Sequence, residues 1–150
     1  MLRAVPGARP LLTEMGITVQ PYDIDLAAHV NNVVYLRWLE DLRLELLRQH
    51  CPMRALVEGG MAAVVAETHI RYRKPVRLFD EPVGRIWCPL LGRVTCVLHA
   101  EIAVDGLLCT EVTQRVMFVD MNTMKALRTP QELRDTFVLE NLPTEEETGQ

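Results

Sequence analysis

The sequence predicts an α+β domain: a mostly antiparallel sheet packed on a single long helix. Three observations carry this. Only one long stretch, Val33 to about Gln49, has apolar residues at helical spacing. After Gly59-Gly60 the hydrophobic period changes to two, and strand-like segments then follow one another without intervening helices. Such an order favours antiparallel pairing. An Asp105-Gly106 pair between two apolar runs is a strong hairpin signal.

Taken in order, residues 1–14 read as an irregular, loosely attached tail broken by Pro6, Gly7 and Pro10. Ile17 to Asp25 reads as a first strand, interrupted near Pro21. In the long helix Tyr35, Leu39, Leu42 and Leu46 recur on one face, with Trp38 alongside and charged residues opposite. Asn31 and Asn32 precede it as cap residues, and Pro52 closes it. Ala66 to Arg73 alternates as a strand ended by Pro75, and Pro82–Leu90, Val94–Val104 and Leu107–Val119 follow as further strands. A short helix is expected after Pro130, around Gln131 to Asp135. The domain boundaries expected are a tail at 1–14, one domain at 15–138 and an acidic tail at 139–150.

Composition excludes several function classes. With 150 residues, 49% hydrophobic and 24% charged, the chain supports one ordinary core. A net charge of −4 argues against binding nucleic acid through phosphate neutralisation. No run approaches the ~20 apolar residues of a membrane helix, and a cytoplasmic location is expected. The four cysteines, Cys51, Cys88, Cys96 and Cys109, have no C-x-x-C spacing and read as buried hydrophobes in a reducing compartment; no metal site is expected.

The chemistry is concentrated in Tyr22 to Tyr35, which places two carboxylates, an imidazole and two carboxamides between a strand and a helix. Loops fixed by rigid elements are where sites tend to sit. At the helix start the backbone N–H groups of Asn32, Val33 and Val34 are expected to lack intrahelical partners. With the helix dipole they can polarise a carbonyl oxygen. Asp25 can then attack the carbonyl carbon, or deprotonate a water that does. A thioester suits this apparatus because a thiolate leaves readily. Taken alone, Asp25 is more often a turn or cap residue, His29 a surface or hydrogen-bonded histidine, and the two asparagines helix caps. Asp23 alternates with Asp25, so that one is read as catalytic and the other as solvated or paired.

The run Asp23-x-Asp25-x-x-x-His29-Val30-Asn31-Asn32-x-x-Tyr35, continuing into Leu36-Arg37-Trp38-Leu39-Glu40, resembles the signature of the hotdog-fold acyl-CoA thioesterases. The nearest group is the 4-hydroxybenzoyl-CoA thioesterase-like superfamily, in particular its long-chain acyl-CoA branch. Tyr72-Arg73-Lys74-Pro75 with Asp80-Glu81, and Asp120 to Thr123 with Pro130, extend the likeness over roughly Thr18 to Arg134. The resemblance implies a curved antiparallel sheet of about five strands wrapped around the helix, and a homodimer or homotetramer with sites at subunit interfaces. It implies that Asp25 is catalytic, that His29, Asn31 and Asn32 surround the thioester, and that the amides near Val33 and Val34 polarise its carbonyl. It implies no cofactor, coenzyme A being part of the acyl-CoA substrate. Arg73, Lys74 and Arg93, with Arg71 and Arg77, could meet the CoA phosphates or belong to a solvated strand face; the sequence weighs these equally. Ala28 stands where the family often has Gly, and its Cβ narrows access to a positive φ and to close substrate approach. Ala27 stands where acyl-carrier-protein thioesterases usually have Asn. Hydrolysis of an acyl-carrier-protein thioester, and acyl-CoA binding without hydrolysis, are the alternatives.

Overall fold

The structure, a computed structural model, describes residues 1–142. In chain order the elements are β1 (Leu2–Arg3), β2 (Thr13–Gly16), a 3-10 turn (Pro21–Asp23), α1 (Val34–His50), α2 (Met53–Glu58), β3 (Met61–Tyr72), β4 (Val83–Leu91), β5 (Thr95–Val104), β6 (Leu107–Asp120) and α3 (Gln131–Glu140). Six strands form one antiparallel sheet. The order is β3-β6-β5-β4, and β1 and β2 pair with successive halves of β4 on its far side. β3 is therefore a twelve-residue edge strand.

The sheet alternates as period two requires. Ile86, Cys88, Leu98, Ala100, Ile102, Val112, Val116 and Phe118 are buried facing α1. From α1 itself Tyr35, Trp38, Leu39, Leu42 and Leu46 meet them in one core. A Cβ at Gly84 of β4 would lie 2.9 Å from Leu42 Cδ1, so a glycine there lets the helix approach the sheet closely. The Asp105-Gly106 turn has φ of 51° and 76°, the two positive values that a two-residue hairpin demands. This is the sheet-around-helix arrangement expected from the resemblance.

The expected N-terminal tail is instead part of the sheet and core. β1 pairs with Leu90 and Leu91 of β4, the Cys88 N–H donates to the Pro10 carbonyl at 2.8 Å, and Leu11 is fully buried. Edge pairing satisfies the backbone here, which local composition does not reveal. The C-terminal boundary also moves. α3 continues to Glu140 because Leu133 and Phe137 bury in the core. Its end braces the N-terminal segment. The Glu140 carboxylate accepts the Leu11 N–H at 2.6 Å, and the Asn141 side chain accepts from Val5 N–H and donates to the Arg3 carbonyl. The rest of the expected acidic tail, residues 143–150, lies outside the described residues. The expected strand Ile17–Asp25 is absent; the strand is earlier, at Thr13–Gly16. Pro21, which lacks an N–H, opens a 3-10 turn instead.

Candidate active site

The loop between Asp23 and α1 is built as a tight closed turn. Ile24 and Val30 form an isolated bridge, and the Asp25 N–H donates to the His29 carbonyl at 2.9 Å. The Ala28 N–H returns to the Asp25 carbonyl at 3.0 Å, and Asp25 Oδ1 accepts the Ala27 N–H at 2.9 Å. Closing the turn forces Ala28 to φ 61°. That left-handed value costs a residue with a Cβ about 1 kcal/mol or more. Ala28→Gly is accordingly expected to raise stability by about 0.5–1 kcal/mol, read as the midpoint of urea unfolding. An unchanged or lower midpoint would contradict the strain.

Asp23 and Asp25 do not share a face. Asp23 is 2% exposed; its Oδ1 accepts from Arg37 Nη2 at 2.6 Å, and its Oδ2 accepts the Gln20 N–H at 2.9 Å. Asp23 is thus the paired carboxylate that fastens the loop to the first turns of α1. Its carbonyl also accepts the Asn31 N–H at 2.8 Å. Asp25 is exposed, with its second oxygen unengaged among the described residues.

The three expected amide donors are not equivalent. The Val33 N–H donates to Asn31 Oδ1 at 3.1 Å, and the Val34 N–H to the Asn31 carbonyl at 2.9 Å. Both are used in starting the helix, which corrects the expectation that they face a substrate. Asn31 is thereby a cap, held on both its side chain and its carbonyl. Among the described residues only Asn32, of the three, keeps its N–H without an acceptor. The Asn32 carbonyl accepts from the Tyr72 hydroxyl at 2.9 Å, which ties the helix start to β3. Tyr72 also packs edge-on against Tyr35, with ring centroids 5.1 Å apart. Sequence spacing gave no signal for Tyr72 or Arg37, since each acts across the fold.

A cleft at this end of α1 is lined by His29, Asn32, Tyr35, Tyr72, Arg73 and Lys74, among others. The structure therefore brings together His29, Asn32, Arg73 and Lys74; Asp25 sits on the same closed loop as His29 but is not among the residues that line this cleft. Arg73 is partly committed, pairing with Glu111 at 2.7 Å, whereas Lys74 has no carboxylate partner among the described residues. Arg93 does not join them within one chain. It lies beyond β4 beside Arg128 and Arg134, near the Thr95–Met117 end of the sheet, while Tyr72 pairs with Thr110 at the other end.

The cysteines are all free and buried. Burial pushes the Cys51 thiol up to about 11 and raises Cys109; contact with Cys96, then burial, raises Cys88. Raised thiols are poor nucleophiles, so these side chains serve packing. Among the described residues no group of His, Cys, Asp and Glu is arranged to hold a metal, and no helix is long and apolar enough to cross a membrane.

Comparison with known proteins places this geometry. The thioesterase-like superfamily model matches residues 19–137. The long-chain acyl-CoA thioesterase FadM of Escherichia coli (strain K12) is 29% identical over 121 residues, covering 79% of this chain and 92% of that protein. The solved structure of YbaW, a probable thioesterase from Escherichia coli, superposes with a TM-score of 0.74 at 28% identity, covering 85% of this chain and 96% of that one. A thioesterase from Thermus thermophilus, crystallised with coenzyme A and zinc, shares the fold with a TM-score of 0.76 at 23% identity, covering 93% and 99%. The family match takes in the closed loop, α1 and all four long strands, and the chain is a hotdog-fold member of the thioesterase-like superfamily.

Proposed function

We propose that the protein hydrolyses acyl-CoA thioesters, giving the free acid and coenzyme A. Asp25 acts as nucleophile or as general base toward water, and the Asn32 N–H polarises the thioester carbonyl. One observation carries this reading: of the three amides at the helix start, the two that cap the helix are taken, and the remaining one belongs to Asn32, a residue that lines the cleft together with His29. A donor fixed by helix geometry, with a carboxylate held on the adjoining loop, is what acyl transfer requires. As base, Asp25 takes the proton of the attacking water and passes it to the leaving thiolate; as nucleophile, it expels the thiolate to form a mixed anhydride, which water then opens to the free acid with Asp25 regenerated. Lys74, with Arg73 beside it, meets the CoA phosphates in this reading, a role supported by their presence in the cleft lining. The likeness to the Escherichia coli long-chain acyl-CoA thioesterase supports coenzyme A as the carrier.

The site is open on one side in a single chain. Leu26, Val33 and Phe79 stand exposed at 109%, 66% and 92%, on segments joined by the Val30 N–H to Val76 carbonyl bond. A second copy covering them, with pairing across the free β3 edge, completes a homodimer.

Matched substrates test the carrier. Thiol release from an acyl-CoA is expected to exceed that from the same acyl group on acyl-carrier protein by about tenfold or more in kcat/KM. The reverse preference would assign the carrier protein, and tight acyl-CoA binding without any thiol release would leave a binding module.

A further inference from the structure

The first turn of α1 is wound more tightly than an α-helix. The Val34 N–H donates to the Asn31 carbonyl and the Leu36 N–H to the Val33 carbonyl, each three residues back, at 2.9 and 3.2 Å. This pattern passes over the Asn32 carbonyl, to which a four-residue pattern would send the Leu36 N–H. Among the described residues no backbone N–H donates to that carbonyl. Its donor is the Tyr72 hydroxyl at 2.9 Å, forty residues away on β3. Asn32 thus has one free group, its N–H, and one group held from outside the helix, its carbonyl.

Tyr72 is fixed along its whole length. At its foot, β3 is tied to β6. Tyr72 is in register with Thr110, and the next two N–H groups, of Arg73 and Lys74, both donate to the Cys109 carbonyl at 2.8 and 3.0 Å. Midway, the ring meets Tyr35 edge-on, and Tyr35 is itself 2% exposed and packed edge-on against Trp38 at 5.0 Å. Those contacts resist reorientation of the ring. A side chain held at foot and middle carries the position of the sheet to the atom at its tip. On the other flank of Asn32, the Asn31 side chain and carbonyl hold the amides of Val33 and Val34.

We infer that Tyr72 is a positioning residue of this site: its hydroxyl, by holding the Asn32 carbonyl, sets the direction of the Asn32 N–H. The inference rests on the thioesterase reading, which gives that N–H the thioester oxygen as its acceptor. A donor with no partner in the helix is aimed only by the bonds of its neighbours. Hydrogen bonds weaken steeply with misalignment, so a small rotation of Asn32 costs stabilisation of the charge that develops on the oxygen. Tyr72 acts on that charge through Asn32, without touching the substrate.

Tyr72→Phe removes the hydroxyl and keeps the ring against Tyr35. With an acyl-CoA, kcat is expected to fall by about tenfold, less than the loss from deleting an oxyanion donor outright, and KM to change by less than about twofold. The melting midpoint is expected to stay near that of the wild type, because the exposed Asn32 can turn its carbonyl to water. In nitrogen-15-labelled protein the Asn32 amide resonance is expected to move. Phenylalanine and tyrosine rings shift neighbouring protons alike, so the displacement reports the lost bond. A folded variant with wild-type kcat would overturn the inference. A raised KM at unchanged kcat would overturn it too, by making the hydroxyl a substrate contact. So would a fall in kcat with the Asn32 resonance unmoved, which would put the hydroxyl at the reacting atoms. Should the wild type release no thiol from any acyl-CoA, the thioesterase reading fails by itself. The resonance then decides the positioning role: displaced in Tyr72→Phe it supports that role, and unmoved it rejects it.

Discussion

Asp25→Asn is expected to reduce thioester turnover by at least ~10²-fold while leaving the thermal midpoint unchanged. Asparagine keeps the shape of the side chain and the oxygen that accepts the Ala27 N–H, so the closed loop retains its hydrogen bonds. What it loses is the charge, and with it the ability to attack a carbonyl carbon or take a proton from water. The exposure of Asp25 in a single chain means that removing this charge leaves no buried group unpaired. Asp25→Ala should lose as much activity and also about 0.5–1 kcal/mol of stability, through the missing turn bond. Turnover of folded Asp25→Asn at the wild-type rate would reject Asp25 as the reacting group. Nucleophile and base are separable by single turnover in oxygen-18 water combined with hydroxylamine trapping: label in the Asp25 carboxyl group or a trapped acyl-enzyme indicates an anhydride, and label confined to the product acid with nothing trapped indicates activated water.

The parts of this molecule that could be read from sequence are those whose cause is local. The α1 pattern and the Asp105-Gly106 turn are each fixed by side chains within a few residues, and both stand where spacing put them. β2, α2 and the seating of residues 1–14 escaped because their partners are distant. Glu140 accepts from Leu11 across 129 residues, and Pro52, read as a stop, begins α2 as its N-cap. The site was legible as a dense motif but not in its division of labour. Which aspartate is buried is decided by Arg37, fourteen positions on, and which amide is left free is decided by the capping of Val33 and Val34 by Asn31. Ala28 shows the limit from the other side. Its residue type argues against a positive φ, yet the bonds among Asp25, Ala28 and His29 impose one.

Asp23, two positions away, should give the opposite signature. Asp23→Ala is expected to destabilise the fold by about 2–3 kcal/mol, from loss of charged acceptors to the Gln20 N–H and to Arg37. The upper part of the range for a buried ion pair does not apply, because the Arg37 side chain is 56% exposed and water can take over its charge. In a chain of this size the loss corresponds to a fall in Tm of about 5–10 °C. The Asp23 backbone carbonyl still accepts the Asn31 N–H in the variant, so the helix start and its free Asn32 amide keep an anchor. Turnover near the wild-type value is therefore expected well below the lowered midpoint. A double-mutant cycle with Arg37→Met isolates the pair and should return about 1 kcal/mol of coupling. A coupling near zero would mean that Asp23 acts through Gln20 alone. Loss of turnover in Asp23→Ala at a temperature where it remains folded would place Asp23, rather than Asp25, at the reacting carbonyl; the assignment of chemistry within the loop thus depends on the pair of variants and not on either alone.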